Sequence, residues 1–371
     1  MRNKQPCHPG EDSDRDKPSH GRGAHSRGSI AHLPERRTTM TAILYSFRRC
    51  PFAMRARWAL LQAGLLVRWR EIELKAKPRE MLTVSPKGTV PVLVLEGGQM
   101  IDESLQVMRW ALEQADPRDL LQRGEGSADL IRENDGPFKH HLDRFKYTDR
   151  YPGERREHHR HAGISILKRW SERIAARGWL SGPCMGVTDG ALWPFVRQWR
   201  IADPEDFDAD AELAPLRIWL RSFLEDPMFE RLMQRADPWS PGGLQPLFPA
   251  DAVPVPRDQP LFHLALAEDW RMARAEGSYR ISTRGMRLDE VGFIHCSWEQ
   301  QVKATFDRFY ADAENVLLLR IDPAQLTAPL RADAVPTGEL FPHLYGALSL
   351  DAVISADRYD QEAAGDQQVA L

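Results

Sequence analysis

Apolar positions first become dense at Ala42, where Ile43-Leu44-Tyr45-Ser46-Phe47 is a run of the length of one strand. Pro51 then stands where a helix can begin, because the first helical N–H has no intrahelical partner to lose. Apolar residues recur through 53–61, and Gly64 marks the helix end. Residues 67–74 predict a second strand and residues 79–82 a short polar helix. Val92-Leu93-Val94-Leu95 and Met100-Ile101 flank Gly97-Gly98, a hairpin signal, and Ser104 opens a helix over 105–114. The order β-α-β-α-β-β-α predicts a compact α/β unit with a mixed sheet. From 130 to 236 the apolar positions fall three and four apart, as in Ile164, Ile166, Leu167, Trp170 and Ile174, which predicts an all-helical region. Strand and helix signals alternate again over 259–362, as expected of a separate small α+β domain.

The remaining segments lack such patterns. In residues 1–39 only Met1, Cys7, Ala24, Ile30, Ala31 and Leu33 are apolar, too few to bury a core. A disordered extension is expected there, with Met40 as an alternative start to Met1. Residues 237–258 hold prolines at 238, 241, 246, 249, 254 and 256, a density that predicts an extended, semi-rigid linker. The expected divisions are therefore 1–39, 40–120, 125–236, the linker 237–258, 259–362 and a tail at 363–371.

Charge is nearly balanced, 50 Lys+Arg against 53 Asp+Glu, which argues against a nucleic-acid partner or an anionic membrane held by bulk charge. No apolar run approaches the ~18–20 residues that span a bilayer. Cys7, Cys50, Cys184 and Cys296 lie far apart without paired spacing, which speaks against a disulfide scaffold or structural zinc and for a cytoplasmic setting.

Cys50 carries the chemical signal. It follows a strand and precedes a helix opened by Pro51, where unpaired N–H groups and the helix dipole favour an anion. A thiolate there is expected below its ordinary pKa of about 8.5, with Arg48, Arg49 and Arg55 acting in the same direction. In Cys50-Pro51-Phe52-Ala53 the fourth position offers no second thiol. A mixed disulfide on Cys50 would need an outside thiol to resolve it.

Here the chain resembles the glutathione transferase superfamily, most closely its cysteine-type, omega-like branch. The resemblance rests on Tyr45-Ser46-Phe47-Arg48-Arg49-Cys50-Pro51-Phe52-Ala53, then Gly88-Thr89-Val90-Pro91-Val92-Leu93, then Glu103-Ser104, and covers about residues 42–236. It implies a thioredoxin-like domain followed by an all-α domain, with glutathione as co-substrate and Cys50 as nucleophile. It further implies a cis Pro91, with Val90 pairing strand-fashion with the cysteinyl unit. Glu103 would take the γ-glutamyl ammonium and Ser104 its carboxylate. Lys77 would face the glycyl carboxylate, and Phe52 would border the site. Tyr45 and Ser46 are rival thiolate stabilisers, since other branches use a hydroxyl. A homodimer is implied too, with a small electrophile or a disulfide as the other partner. Trp179-Leu180-Ser181-Gly182-Pro183 and Thr188-Asp189-Gly190-Ala191-Leu192-Trp193-Pro194 resemble the family's folding motif. Asp189 is then structural, and Gly186 is a weak cap where relatives carry Ser or Thr.

His140, His141, His158, His159 and His161 sit among Arg and Glu on polar helical segments and read as a solvated face, so no metal is expected. Residues 259–362 contain Leu261-Phe262-His263-Leu264, Gly292-Phe293-Ile294-His295-Cys296-Ser297 and Gly338-Glu339-Leu340-Phe341-Pro342-His343-Leu344-Tyr345-Gly346. These resemble the DUF952 family, which implies an ADP-ribosyltransferase-like fold. By that analogy His263 would bind a nucleotide ribose, Glu339 would position an acceptor, and His295 and His343 would line the pocket. Ser297 with Gln300 reads as a capping box for the next helix. Three functions stay open: a glutathione-dependent thiol transferase or reductase, a non-catalytic glutathione-binding scaffold, and a nucleotide- or NAD-directed activity of the C-terminal domain.

Overall fold

The computed structural model describes residues 42–124 and 127–359; the expected extension, the choice of start and the tail lie outside them. The first region comprises β1 (Ile43–Ser46), α1 (Pro51–Gln62), β2 (Val67–Glu71), α2 (Arg79–Val84), β3 (Val92–Val94), β4 (Met100–Ile101) and α3 (Ser104–Gln114). β1 runs parallel to β2 and antiparallel to β3, and β4 pairs antiparallel with β3. This is the mixed sheet expected from the apolar pattern. Gly97 and Gly98 both take positive φ in the hairpin, at 91° and 87°, a conformation glycine adopts without steric cost.

The helical region follows as α4 (Ala128–Glu133), α5 (Lys139–Lys146), α6 (Arg156–Arg177), α7 (Val187–Ala202), α8 (Pro204–Ala209), α9 (Ala214–Leu224) and α10 (Pro227–Leu232). A wider helical turn at Asn134–Phe138 joins α4 to α5 around Pro137. One hydrophobic core runs through both regions, from Leu44, Leu60 and Trp69 to Trp170, Leu192 and Trp199. α1 meets α7 where Trp58 covers Gly190 so closely that a Cβ there would come within 2.2 Å of the indole. Asp189 is fully buried and accepts from the backbone N–H groups of Leu180, Ser181 and Gly186 and from Trp219 Nε1, at 2.8–3.1 Å. Its structural reading is therefore correct. The glycine cap also has a physical reason: a Cβ on Gly186 would lie 2.6 Å from Ser181 Oγ and 2.7 Å from the Arg123 carbonyl oxygen.

The segment expected to be only a linker is laced into both neighbouring regions. β5 (Leu247–Phe248) pairs with β2, and β6 (Ala252–Pro254) pairs with a strand of the C-terminal domain. The proline count overlooks the apolar pair Leu247-Phe248. Phe248 is buried edge-on against Trp69, with ring centroids 5.5 Å apart, and that burial holds two residues in a ladder despite their proline neighbours.

The C-terminal domain continues with β7 (Leu261–Leu266), α11 (Ala267–Glu276), β8 (Ser278–Tyr279), β9 (Ile281–Thr283), β10 (Met286–Arg287), α12 (Leu288–Val291), β11 (Ile294–His295), α13 (Val302–Phe309), β12 (Val316–Ile321), β13 (Leu330–Ala334), β14 (Leu340–Leu344), β15 (Leu348–Ser349) and β16 (Val353–Arg358). Its main sheets have the orders β11-β14-β13-β6 and β16-β12-β7, and it has its own core around Leu261, Ile294, Leu319 and Leu344. The expected capping box falls on the short turn Glu299–Gln301 that leads into α13, and its register differs from expectation. Trp298 N donates to Gln301 Oε1 at 3.1 Å, one residue later than predicted, while Ser297 Oγ turns inward to Thr305 Oγ1 at 3.3 Å. Contacts join this domain to the earlier regions. Tyr345 packs over Gly64 at the end of α1, Arg331 donates to the Leu65 carbonyl, and Arg118 donates to the Val291 carbonyl. No helix among the described residues is long and apolar enough to cross a membrane.

Candidate functional site

The turn after β1 places Cys50 at the N-cap of α1. Its N–H donates to the Phe47 carbonyl at 3.0 Å, and its own carbonyl accepts the first helical bond, from Met54 N. The Sγ lies 3.8 Å from the Val90 carbonyl oxygen, a contact that crosses from α1 to the turn before β3. The Val90–Pro91 peptide is cis, as the resemblance implies. Beyond Val90 opens a cleft of about 400 Å³, including the space open to solvent, walled by Phe52, Thr89, Val90, Pro91, Glu103 and Ser104, with Lys87 and Asp102 beside them. Five of the expected glutathione-binding residues therefore share one cleft, and Cys50 sits behind its wall through Val90.

Two placements depart from expectation. Lys77 is exposed and does not line the cleft; its ammonium lies near Gly88 instead. Lys87, which the sequence reading passed over, is ion-paired to Glu103 across the cleft rim. The free protein thus already holds an ammonium where Glu103 was expected to receive one from the ligand. Asp102, also passed over, accepts from Ser85 Oγ at 3.1 Å. Position next to Glu103 was the only available signal for it. Glu103 makes no side-chain cap to α3, so helix capping does not explain its presence.

The electrostatics of Cys50 reverse the expected direction. Burial pushes the thiol pKa up, and the amides of Ala53 and Phe52 and the charges of Arg57 and Lys139 only partly offset it. The helix terminus acts as anticipated, but the half-buried sulfur loses more hydration than these groups return. The cations differ as well. Arg55 is fully buried and committed elsewhere, donating to the Ala191 carbonyl at 2.6 Å and to both oxygens of Asp135. Arg57, also fully buried, donates Nη2 to the Arg48 carbonyl, while its Nε and Nη1 have no partner among the described residues. Neither rival hydroxyl lines the cleft. Tyr45 Oη accepts from Arg70, and Ser46 is buried with no partner for its Oγ among the described residues.

In the C-terminal domain His263 is buried with both ring nitrogens engaged. Nδ1–H donates to the His295 carbonyl at 2.8 Å, and Nε2 accepts from Tyr279 Oη at 3.0 Å. No nitrogen is left for a ribose, and the expected role of His263 is corrected to a packing one. Glu339 is exposed and accepts from Gln301 Nε2 at 2.7 Å. His295 and His343 do meet. His343 Nδ1 donates to Asp333 at 3.0 Å, so its Nε2 accepts from His295 Nδ1 at 2.9 Å. Asp333 also accepts from Arg331, Arg231 and Tyr345. Burial alone would raise its pKa, but the His343 hydrogen bond and the two arginines hold the carboxyl well below the usual range. Only Arg331, two residues away on β13, is local to Asp333; the other partners come from α10 and from the stretch around β14, which sequence spacing does not place beside it.

Two family models match the chain: the N-terminal domain of glutathione S-transferase over residues 44–119, and a protein family of unknown function, DUF952, over residues 264–356. Pyrimidodiazepine synthase of Drosophila melanogaster is 28% identical over 200 residues, 50% of this chain and 77% of that protein. Glutathione S-transferase omega-1 of Rattus norvegicus is 25% identical over 200 residues, with the same two coverages. A probable glutathione transferase of Aplysia californica is 33% identical over 94 residues, 25% of this chain and 97% of that protein. With Val90, Pro91, Glu103 and Ser104 lining one cleft and Cys50 behind its wall, and with this match to nearly all of the Aplysia protein, this chain belongs to the glutathione transferase family and carries a DUF952 domain behind its helical region.

Proposed function

We propose that the protein is a glutathione-dependent thiol transferase or reductase in which Cys50 forms a mixed disulfide with glutathione. The observation that carries this reading is the position of Cys50 Sγ, 3.8 Å from the Val90 carbonyl at the wall of a cleft bordered by Glu103 and Ser104. Once deprotonated, the Cys50 sulfur attacks the glutathionyl sulfur of a mixed disulfide R–S–S–G. The old S–S bond breaks, a Cys50–S–S–G bond forms, and RS⁻ leaves to take up a proton. A second glutathione thiolate then attacks the glutathionyl sulfur of that bond, giving oxidised glutathione and restoring Cys50. Resolution from outside fits the surroundings, since Cys296, the other free cysteine among the described residues, is buried in the C-terminal domain. Ser104 and the first N–H groups of α3 suit the γ-glutamyl carboxylate, and the second oxygen of Glu103 is open to the ammonium. The second substrate, a small electrophile or a disulfide, and a homodimeric assembly belong to the same proposal.

The raised thiol pKa favours a second reading, in which glutathione binds without turnover. Intact mass spectrometry after treatment with oxidised glutathione separates the two. The first reading expects one glutathione adduct, mapped to Cys50 and lost in Cys50→Ala, with binding to immobilised glutathione retained in both proteins. Retained binding with no adduct in either protein supports the second reading. Alkylation of Cys50 by iodoacetamide should accelerate with pH up to and beyond about 8.5, the ordinary thiol range. A plateau reached below neutrality would refute the assigned direction.

A further inference from the structure

α5 and α6 pack side by side, and His140-His141 on one helix and His158-His159 on the other bring four imidazoles into a single patch. Their ring centroids lie 5.0–6.1 Å apart in the contacting pairs. His140, His158 and His161 are exposed, as a solvated face would be. A solvated face does not describe His159, which is buried, or His141, which is half-buried. Helix packing drew these two rings inward, a step invisible in a sequence where all five sit among charged neighbours.

One ring nitrogen from each of His140, His141 and His159 falls within 4.8 Å of the other two. His159 Nε2 lies 2.7 Å from Glu154, and Arg144 holds that carboxylate through both of its oxygens at 2.8 and 2.9 Å. With Nε2–H donated to Glu154, the Nδ1 lone pair of His159 points at His141 Nδ1, 3.0 Å away. We propose that these three imidazoles bind a divalent zinc ion. Zinc–nitrogen bonds of about 2.0–2.1 Å in tetrahedral geometry separate adjacent ligand nitrogens by roughly 3.4 Å. The His141–His159 pair, 3.0 Å apart, is already close to that spacing, and only the exposed His140 ring must swing inward. The carboxylate behind His159 is the arrangement that fixes a metal-binding imidazole in the right tautomer. Three nitrogens leave the fourth position open on the exposed side, for water or a ligand. Nothing in this site involves Cys50, so it stands apart from the thiol-transfer reading.

The test uses the full chain, stripped of metal by dialysis against a chelator and then titrated with zinc, with bound metal counted by plasma mass spectrometry and affinity read by calorimetry. One zinc per chain is expected at micromolar concentration, with Cys50→Ser unchanged. The double variant His140→Asn/His141→Asn, chosen because both residues have some exposure, should lose that equivalent while keeping its circular dichroism spectrum. Glu154→Gln, which touches no metal, should weaken binding about 10–100-fold. Undiminished stoichiometry and affinity in the folded double variant would overturn the assignment, as would failure of the wild-type chain to retain zinc at micromolar concentration.

Discussion

Replacing Asp189 by Asn tests whether the buried carboxylate organises the helical region as its contacts indicate. The exchange changes shape very little. Oδ1 accepts from Leu180 N and Trp219 Nε1, and Oδ2 accepts from Ser181 N and Gly186 N. An amide has one accepting oxygen, so whichever way it turns, its NH₂ faces two N–H donors. Two hydrogen bonds to a charged acceptor are lost, at about 1.5–3 kcal/mol each, and the buried donors gain no other partner. The expected loss is about 3–6 kcal/mol, a large share of the about 5–15 kcal/mol typical of a folded domain. Native-state hydrogen exchange of the Leu180, Ser181 and Gly186 amides reads this locally. Their protection should collapse in Asp189→Asn, with a matching fall in the urea midpoint of the tryptophan signal. A loss below about 1 kcal/mol with these amides still protected would refute the reasoning, because donors left facing an amide nitrogen cannot remain satisfied.

Two further outcomes concern the C-terminal domain. Burial pushes the His263 imidazole down to about 4, against about 6.5 when unfolded. The unfolded chain therefore binds a proton that the native domain refuses between these values, so stability is full above pH 6.5 and falls as the pH drops towards 4. The loss is about 3 kcal/mol for this one group. Urea midpoints measured from pH 7.5 to 4 should show this slope, and a flat profile would contradict it; Asp333, held low, releases its contribution only below about pH 4. Separately, Arg231→Met removes the cation that bonds α10 to both Asp251 and Asp333. Breaking a largely buried pair in this way costs up to about 3–5 kcal/mol. Hydrogen exchange in β6 and β13 should quicken while that in β1 and β3 stays near the wild-type rate; equal effects in both sheets would show that Arg231 does not act locally.

Local order in this chain is legible from local rules. The strand before Cys50, the helix opened by Pro51, the Gly97-Gly98 hairpin and the α3 start at Ser104 all follow from short-range sterics and apolar spacing, so the sequence alone located the cleft residues to within a few positions. The long-range outcomes were decided by tertiary structure. Leu247-Phe248 became a strand because Trp69 offered a buried surface, a partner distant in sequence. Lys87 reached Glu103, and Asp333 collected His343 and Arg231, through approaches that no spacing encodes. His159 turned from a polar helix residue into a buried imidazole because α5 packs against α6. The charge state of Cys50 shows the same division. Its place at a helix N-terminus is written in Cys50-Pro51, but desolvation depends on how much of the folded molecule surrounds the sulfur, and that quantity exists only after the chain has closed around it.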